Sequence, residues 1–316
     1  MAHIVGGYAA SHSPLMLTSF GKADQDKANL VLSGFDYIKQ QLDEQKPDVI
    51  IVISDDHFKS FFLDNMPMFC IGVHTCKGHG DFGLPQTEIP VDQQLANDIL
   101  NTAIVEGFDL SYSFELQLDH GHIQPLYYVR PEFDIPIVPI VTNCCAPPLP
   151  TLRRCYQLGQ MIRKALDKYS NEKRIAIIAS GALSHWPPIP KIDVNANDED
   201  SLRMKNIMIN GKTTSTEDEE FRKSRVVKIA SGRVNQSWDE QILNRILGNK
   251  IEDLLSMSYE EIETNGGNGG QEIRNWITLM GIMGGYQAKV IEYQPVAEWI
   301  TGMGIVEFMD GAHSQS

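Results

Sequence analysis

Runs of apolar, β-branched residues recur through the first 180 positions of the chain and predict buried strands. These runs contain few polar residues, which is typical of strands that are covered on both faces of a sheet. Between them lie segments with apolar residues three and four positions apart, as on one face of an amphipathic helix. The predicted strands cover residues 3–8, 48–54, 135–142 and 174–180, and predicted helices cover residues 28–42, 92–106 and 152–169.

Strands that alternate with helices at this spacing predict an α/β fold with a mixed central sheet flanked by helices. The pattern changes from about residue 193 to 263, where the chain is rich in charge and in helix-forming residues and has no strong β run. We predict a helical insertion or lid at 193–263, within a single domain that spans residues 1–316. Its densest charged stretch, residues 217–228, is typical of a solvated helix face.

Composition and charge exclude several classes of protein. With 41 acidic and 27 basic side chains, the formal net charge is −14, which opposes binding to a nucleic acid backbone. No apolar run approaches the ~20 residues that cross a bilayer, and the N-terminus lacks the pattern of a secretory signal, so we expect a cytoplasmic protein that is not bound to a membrane. The five cysteines form no C-x-x-C pair, which indicates reduced thiols rather than disulfides or a zinc knuckle.

Histidines follow several of the predicted strands. HIVGGYAASH ends at His12, DVIIVISDDH ends at His57, and RIAIIASGALSH ends at His185; a fourth, His120, follows a β-like run at residues 110–116. Loops beyond the carboxyl ends of strands in α/β sheets converge on one crevice, so these side chains can meet. Two neutral imidazoles and one carboxylate on one face leave open metal positions, the arrangement typical of non-haem Fe(II) oxygenases.

Four carboxylates are candidates for the third ligand. Asp55 and Asp56 adjoin His57 on one short loop, where neighbouring side chains usually diverge, so we interpret them as orienting or capping residues. Asp119 is interpreted as a residue that orients one imidazole. Glu272 follows NGGNGGQ and opens a predicted amphipathic helix, a position that can aim a carboxylate into a cleft, although a first-turn glutamate also complements the helix dipole.

At these residues the sequence resembles the class III extradiol ring-cleavage dioxygenases. The matching stretches occur in order along nearly the whole chain, and as an ordered set they are specific to that family. In length and in the helical segment before SWDEQI, the chain resembles the branch that acts on 2,3-dihydroxyphenylpropionate, whereas the Gly-rich approach to Glu272 is closer to the protocatechuate and gallate type. The stretches are ASHSPLM, ISDDHF, LDHGHIQPL, SGALSHWPPIP, GGQEIRNW and YQPVAEWITGMG.

The resemblance implies a cofactor, a reaction and a set of roles. It implies that His12, His57 and Glu272 bind Fe(II), and that His185 and His120 serve as base and acid, two roles that can be exchanged at this stage. The expected substrates are O2 and a substituted catechol, such as 2,3-dihydroxyphenylpropionate or an acid of the protocatechuate or gallate type. Both oxygen atoms would enter a ring-opened semialdehyde or keto acid, and the resemblance also implies a homo-oligomer.

Weaker candidates surround this set. Trp186, with Pro187 and Pro188, suits a wall against a flat aromatic ring, although ordinary packing explains such a cluster equally well. Arg274 suits a substrate carboxylate, but an arginine on a helix surface is usually solvated. The HTCKGH stretch is interpreted as a pocket-edge loop rather than a metal knuckle. The remaining histidines, interpreted as structural or solvated, are His3, His122 and His313.

Two other functions use the same residues. A zinc hydrolase would place a metal-bound water as nucleophile at these His and Glu positions. A non-catalytic interaction protein with the same fold is the second alternative. It is disfavoured because all five metal and catalytic positions carry competent side chains.

Overall fold

The computed structural model describes residues 2–181, 183–187, 197–213, 215–229 and 232–310. Pro188, His313 and the first residues of the predicted insertion, 193–196, lie outside the described residues. Within these ranges, no helix has the length and apolar character needed to span a membrane.

One mixed sheet of nine strands forms the centre of the fold. Its order is β4-β3-β6-β2-β7-β1-β9-β8, and β5 pairs with β3. The four middle strands, β6, β2, β7 and β1, run parallel, whereas β3 and β9 flank them in antiparallel orientation. The strands are β1 (Ala2–Ser11), β2 (Val49–Asp55), β3 (Phe69–Gly78), β4 (Glu88–Ile89), β5 (Ser111–Leu118), β6 (Ile137–Thr142), β7 (Lys173–Gly181), β8 (Tyr286–Val296) and β9 (Thr301–Asp310).

Helices cover both faces of the sheet, as predicted. Alternate residues of β2 point to opposite faces, so Ile51 and Ile53 join one apolar core while Ile50 and Val52 join the other. The first core includes α3, α5, α8 and α11, and the second includes α2 and α4. The helices are α1 (Leu15–Thr18), α2 (Gln25–Gln45), α3 (Gln93–Val105), α4 (His120–Val129), α5 (Leu152–Lys168), α6 (Glu199–Asn210), α7 (Thr216–Ile229), α8 (Gln236–Leu247), α9 (Ile251–Leu255), α10 (Tyr259–Gly266) and α11 (Ile273–Met283).

Helix α11 is the buried helix that begins just after Glu272. All of its residues are buried, and it crosses α5 closely where two glycines meet. A Cβ at Gly159 would lie 2.1 Å from the carbonyl oxygen of Thr278, and one at Gly281 would lie 2.2 Å from that of Tyr156. This close crossing fixes α11, and with it the position of Glu272, against the sheet.

The described residues of the predicted insertion are mainly helical and carry α6, α7, α8, α9 and most of α10. Its halves pack differently, because α8 joins the main core through Trp238 and Ile242, whereas α6 joins a small cluster with Phe58 and Phe62. The interpretation of residues 217–228 as a solvated face is wrong in part. In α7, Phe221 packs on that small cluster and Arg222 donates to the carbonyl oxygen of Phe58 at 3.2 Å.

The HTCKGH stretch was expected to form a pocket-edge loop, and this prediction is wrong. His74 and Cys76 belong to strand β3, because the parallel pairing of β3 with β5 continues to Gly78. His74 is exposed and stacks on Phe114, with ring centroids 5.9 Å apart. The five cysteines are all free thiols, as the sequence indicated.

Candidate active site

His12 extends from the end of β1 into the crevice above the parallel strands. Its backbone N–H donates to the carbonyl oxygen of Gly181 at 2.9 Å, and its Nδ1 lies 2.9 Å from Ser180 Oγ, so β7 fixes both the backbone and the ring. Nε2 faces Glu272 Oε2 at 3.8 Å. Burial lowers the pKa of His12 to about 3, although Glu272 opposes the shift. The imidazole is therefore neutral, the form that binds metals.

His57 follows β2 and is oriented by Asp119. The backbone N–H and the Nδ1 of His57 lie 2.7 and 2.9 Å from Asp119 Oδ2, while Asp119 also caps α4 by accepting from the N–H of Gly121 at 2.9 Å. This leaves His57 Nε2 facing Glu272 Oε1 at 3.5 Å and Asp55 Oδ2 at 3.3 Å. Burial alone would lower the pKa of His57, but the Asp55 and Asp119 carboxylates hold it well above its usual range.

Glu272 is the carboxylate that the two imidazoles share. It is buried, and its Oε2 has no hydrogen-bond partner among the described residues. Burial alone would raise the pKa of Glu272, but the facing imidazoles of His185 and His12 hold it well below its usual range. The glycines before Glu272 allow His185 to come close to this segment. A Cβ at Gly269 would lie 2.1 Å from His185 Nε2, and a Cβ at Gly267 would lie 2.0 Å from the His185 carbonyl oxygen.

These donors suit a divalent metal ion. Imidazole nitrogens and an ionised, unpartnered carboxylate oxygen are the ligand types that first-row metals bind, and a metal that binds His57 would displace any proton from Nε2. A buried carboxylate oxygen without a partner is also costly unless something binds it. The ring nitrogens of His12, His57 and His120 also lie within 4.8 Å of one another. A second group with this spacing comprises Asp55, His57 and Cys145.

His120 is the first residue of α4, and its orienting partner is Asp81. His120 Nδ1 lies 2.6 Å from Asp81 Oδ2, and the centroids of the His120 and His57 rings lie 4.2 Å apart. Phe82 packs its edge against His120 at 4.9 Å. Sequence reasoning did not identify Asp81. The only signal was the glycine-flanked GDFG stretch, which indicates a turn without revealing which imidazole the carboxylate meets.

His185 lies beside Glu272 and contacts the same carboxylate oxygen as His57. Its backbone N–H donates to the carbonyl oxygen of Gly266 at 2.8 Å, and its Nδ1 lies 3.1 Å from the carbonyl oxygen of Leu183. Because a carbonyl oxygen only accepts, Nδ1 carries a proton, and neutral His185 therefore presents a lone pair at Nε2. That Nε2 lies 3.2 Å from Glu272 Oε1. Burial would lower the pKa of His185, but Glu272 raises it.

The residue before His185 is held by helix α8, a support that sequence reasoning did not identify. Ser184 donates from its N–H to Asp239 Oδ1 at 2.7 Å and from its Oγ to Asp239 Oδ2 at 2.9 Å. Tyr293 donates to the same carboxylate at 2.8 Å, and the N–H of Asn235 donates to Ser184 Oγ at 2.7 Å. The described part of the insertion is thus linked directly to the His185 loop.

Asp55 and Asp56 have different surroundings despite being neighbours. Asp55 accepts from Asn275 Nδ2 at 3.2 Å and from Cys145 Sγ at 3.4 Å, so it lies beside the His57 imidazole within the centre. Asp56 points away and closes the turn after β2. It accepts from the backbone N–H groups of Lys59, Ser60 and Phe61.

Arg274 is neither solvated nor on a helix surface. Its guanidinium is buried and donates to the carbonyl oxygen of Pro150 at 2.8 Å and to that of Gln271 at 3.0 Å, so it ties the start of α11 to the loop before α5. Pro187 accepts a hydrogen bond from Asn268 Nδ2 at 2.8 Å. Trp186 lies beside the glycines, under the guanidinium of Arg233 at 4.1 Å from the ring centroid.

The family to which the chain belongs identifies it as an enzyme that opens aromatic rings. Residues 6–304 match the family described as "Catalytic LigB subunit of aromatic ring-opening dioxygenase", and the chain belongs to this family. It is a dioxygenase that carries out extradiol cleavage of catechol-type substrates, as the sequence predicted. The family is metal-dependent, and its dioxygenase activity disfavours both the zinc hydrolase and the interaction-protein alternatives.

Two enzymes of the same name match this chain over nearly its whole length. A 2,3-dihydroxyphenylpropionate/2,3-dihydroxicinnamic acid 1,2-dioxygenase from Photorhabdus laumondii is 34% identical over 310 residues, covering 94% of each chain. An Escherichia coli enzyme of the same name is 30% identical over 316 residues, covering 94% of this chain and 96% of that one. The crystal structure of an uncharacterized Escherichia coli K12 protein, JW3007, matches with a TM-score of 0.50 and 13% identity, covering 96% of this chain and 99% of that one. That likeness shows the fold alone.

Proposed function

We propose that the enzyme is Fe(II)-dependent, with His12, His57 and Glu272 as the metal ligands, and that it opens a catechol bearing an acidic side chain. The observation that carries this proposal is the buried, unpartnered Oε2 of Glu272, which faces His12 Nε2 at 3.8 Å while Oε1 faces His57 Nε2 at 3.5 Å. The names of the relatives, which refer to 2,3-dihydroxyphenylpropionate, support a substrate of that class.

Three protein ligands explain why this set suits ring opening. Bound Fe(II) would supply vacant positions where a catecholate and O2 are held together, and a redox-active centre through which electrons pass between them. Two neutral imidazoles and one carboxylate contribute a single negative charge, so the loaded site favours an anionic diol over a neutral phenol.

His185 is the proposed base. Its Nδ1 proton is directed to the carbonyl oxygen of Leu183, so the lone pair of the neutral ring is at Nε2, on the Glu272 side where the diol would lie. An imidazole is suited to accept a phenolic proton near neutral pH.

His120 is the proposed acid. Asp81 lies 2.6 Å from His120 Nδ1 and orients the ring, so that Nε2 is the atom that donates a proton as the substrate ring opens. His120 and His185 lie on separate elements, so one proton can be taken up and another delivered without rotation of either ring. We further propose that the chain is one catalytic domain that works as a homo-oligomer in the cytoplasm.

Metal reconstitution under anaerobic conditions tests this proposal. Metal-free protein is loaded with Fe(II), Mn(II) or Zn(II), mixed with 2,3-dihydroxyphenylpropionate, protocatechuate, gallate or catechol, and started by adding O2. We expect a yellow ring-opened product and one O2 consumed per substrate with Fe(II) and the propionate. Full activity with Zn(II), or product formation without O2 uptake, would overturn the iron assignment, while turnover of gallate alone would overturn the substrate assignment.

A further inference from the structure

An arginine outside the catalytic set lies beside His185. Trp186 follows His185 directly, and a Cβ at Gly267 would lie 2.7 Å from Trp186 Cδ2, so the indole rests on the glycines that lead to Glu272. The Arg233 guanidinium lies 4.1 Å from the centroid of that indole. Segment 233–235 is anchored there, because the Asn235 N–H donates to Ser184 at 2.7 Å.

No described residue hydrogen-bonds to the N–H groups of this guanidinium. In the described ranges, Arg233 is exposed and its guanidinium makes no hydrogen bond or ion pair; it only stacks on Trp186. Two other arginines near the centre differ, since Arg274 and Arg222 donate to backbone carbonyl oxygens. Stacking on an aromatic ring holds a guanidinium plane in place while its N–H groups remain available for a carboxylate.

The charge around the centre creates a need for such a cation. Glu272, Asp55, Asp119 and Asp81 crowd the four histidines, and the whole chain carries a net charge of −14. A substrate with a side-chain carboxylate would approach this surface against repulsion. A fixed, unpaired guanidinium beside His185 offsets that repulsion and provides a two-pronged match to the carboxylate.

We propose that Arg233, held on Trp186, binds the side-chain carboxylate of the catechol substrate and so selects catechols with an acidic side chain. This inference rests on the proposed function and assigns the specificity that the sequence had placed on Arg274. The carboxylate site is distinct from the metal ligands, because it recognises the substituent rather than the ring diol.

A pair of substrates separates recognition of the carboxylate from ring opening. For Arg233→Gln we expect kcat/KM for 2,3-dihydroxyphenylpropionate to fall roughly tenfold, mostly through KM, since the contact is solvent-accessible and screened by salt. With 3-ethylcatechol, which has the same diol but no carboxylate, the variant and the parent should match. Arg154→Gln is the control, because Arg154 also stacks at 4.1 Å, on the ring of Phe108, but lies on α5 away from the centre.

Two further outcomes decide the inference. Arg233→Lys keeps the charge without the fork, and we expect it to recover part of the loss. Equal losses with both substrates would indicate a structural role and overturn the inference, as would unchanged kinetics with the acid. Either result leaves the proposed function intact as long as the parent enzyme opens both rings, whereas failure of the parent enzyme to open either ring overturns the proposed function itself.

Discussion

The metal-binding half of the site and the proton-transfer half are held by different parts of the molecule. His12 and His57 follow the parallel strands β1 and β2 by one or two residues, and Glu272 begins the fully buried helix α11. The proposed acid and base rely instead on groups from outside the parallel strands. Asp81, between β3 and β4, holds His120, and Asp239 of α8 holds the residue before His185.

The positions of the two sets of side chains are therefore constrained in different ways. The ends of parallel strands are fixed by the sheet, so the proposed ligands share a geometry that survives substitutions elsewhere. Single carboxylates at long sequence separation orient the acid and support the base, as Asp119 orients the His57 ring, and they adjust position and charge without rebuilding the sheet. We therefore expect substitutions in the first half to remove the metal and substitutions in the second half to change the rate.

The largest effect is expected from Glu272→Gln. The amide keeps the size of the side chain but removes the charge that faces His12 and His57, so metal affinity should fall more than the ~100-fold typical of losing an outer hydrogen-bond partner, and turnover should vanish. Metal per chain after Fe(II) loading and desalting measures this. Glu307→Gln is the control. It removes a buried carboxylate of β9 that accepts a hydrogen bond from Tyr37 and is not part of the site, so this variant should retain the metal. Stoichiometric metal in Glu272→Gln would contradict the ligand assignment.

Next in size are the effects of His120→Gln and His185→Gln. Both should keep the metal and lose about 10²- to 10⁴-fold in kcat, because each removes a proton-transfer group and no ligand. Metal content and single-turnover product formation are measured on the same samples, with His12→Gln as the variant that loses metal. Loss of metal in His120→Gln would instead favour the three-histidine group, whose ring nitrogens lie within 4.8 Å of one another.

The metal-binding half of the site, which lies at the ends of the middle strands, could be predicted from the sequence. Strands β1, β2, β6 and β7 are largely buried and rich in Val, Ile and Ala, and the histidines that follow β1, β2 and β7 were identified by position alone. Strands β8 and β9 were not predicted. Much of β8 is only partly buried and lies at the sheet edge, so it lacks the continuous apolar run that marks the middle strands.

The carboxylates of the other half could not be predicted, because their partners are distant in sequence. Asp81 meets His120 across 39 residues, and Asp239 meets Ser184 across 55. Neither contact leaves a local pattern. The interpretation of Arg274 as an arginine on a helix surface was wrong, because helix α11 is buried on every side and offers no surface for a solvated arginine.

A smaller effect is expected from Asp81→Asn. The amide replaces the carboxylate that orients the His120 ring, so kcat should fall about 10- to 100-fold while KM and metal content stay unchanged. Asp81→Glu should restore part of the rate if its longer side chain reaches His120 Nδ1. Asp109→Asn, at an exposed aspartate outside the site, is the control. A parallel loss of metal would show that Asp81 supports the metal-binding half as well.

The smallest effect concerns the pH dependence of stability at Asp239. Burial raises the pKa of this carboxyl to about 6, although hydrogen bonds from Tyr293 and Ser184 oppose the shift. In the unfolded chain the pKa is about 3.9. The folded protein therefore retains a proton that the unfolded chain releases, and the resulting stability, complete below about pH 4, is lost as pH rises through about 6.

Comparison with Asp239→Asn isolates this effect, because the amide does not titrate. The free energy of unfolding of metal-free parent protein, relative to the variant, should decrease by about 1 kcal/mol between pH 5 and pH 8. Urea unfolding at the two pH values measures it, and Tyr293→Phe, which keeps the carboxyl, should retain the pH dependence. If the free energy of unfolding changed equally with pH in the parent and in Asp239→Asn, the pKa of Asp239 would be the same in the folded and unfolded chains. Asp239 would then support the His185 loop without any pH dependence, as β7 supports His12.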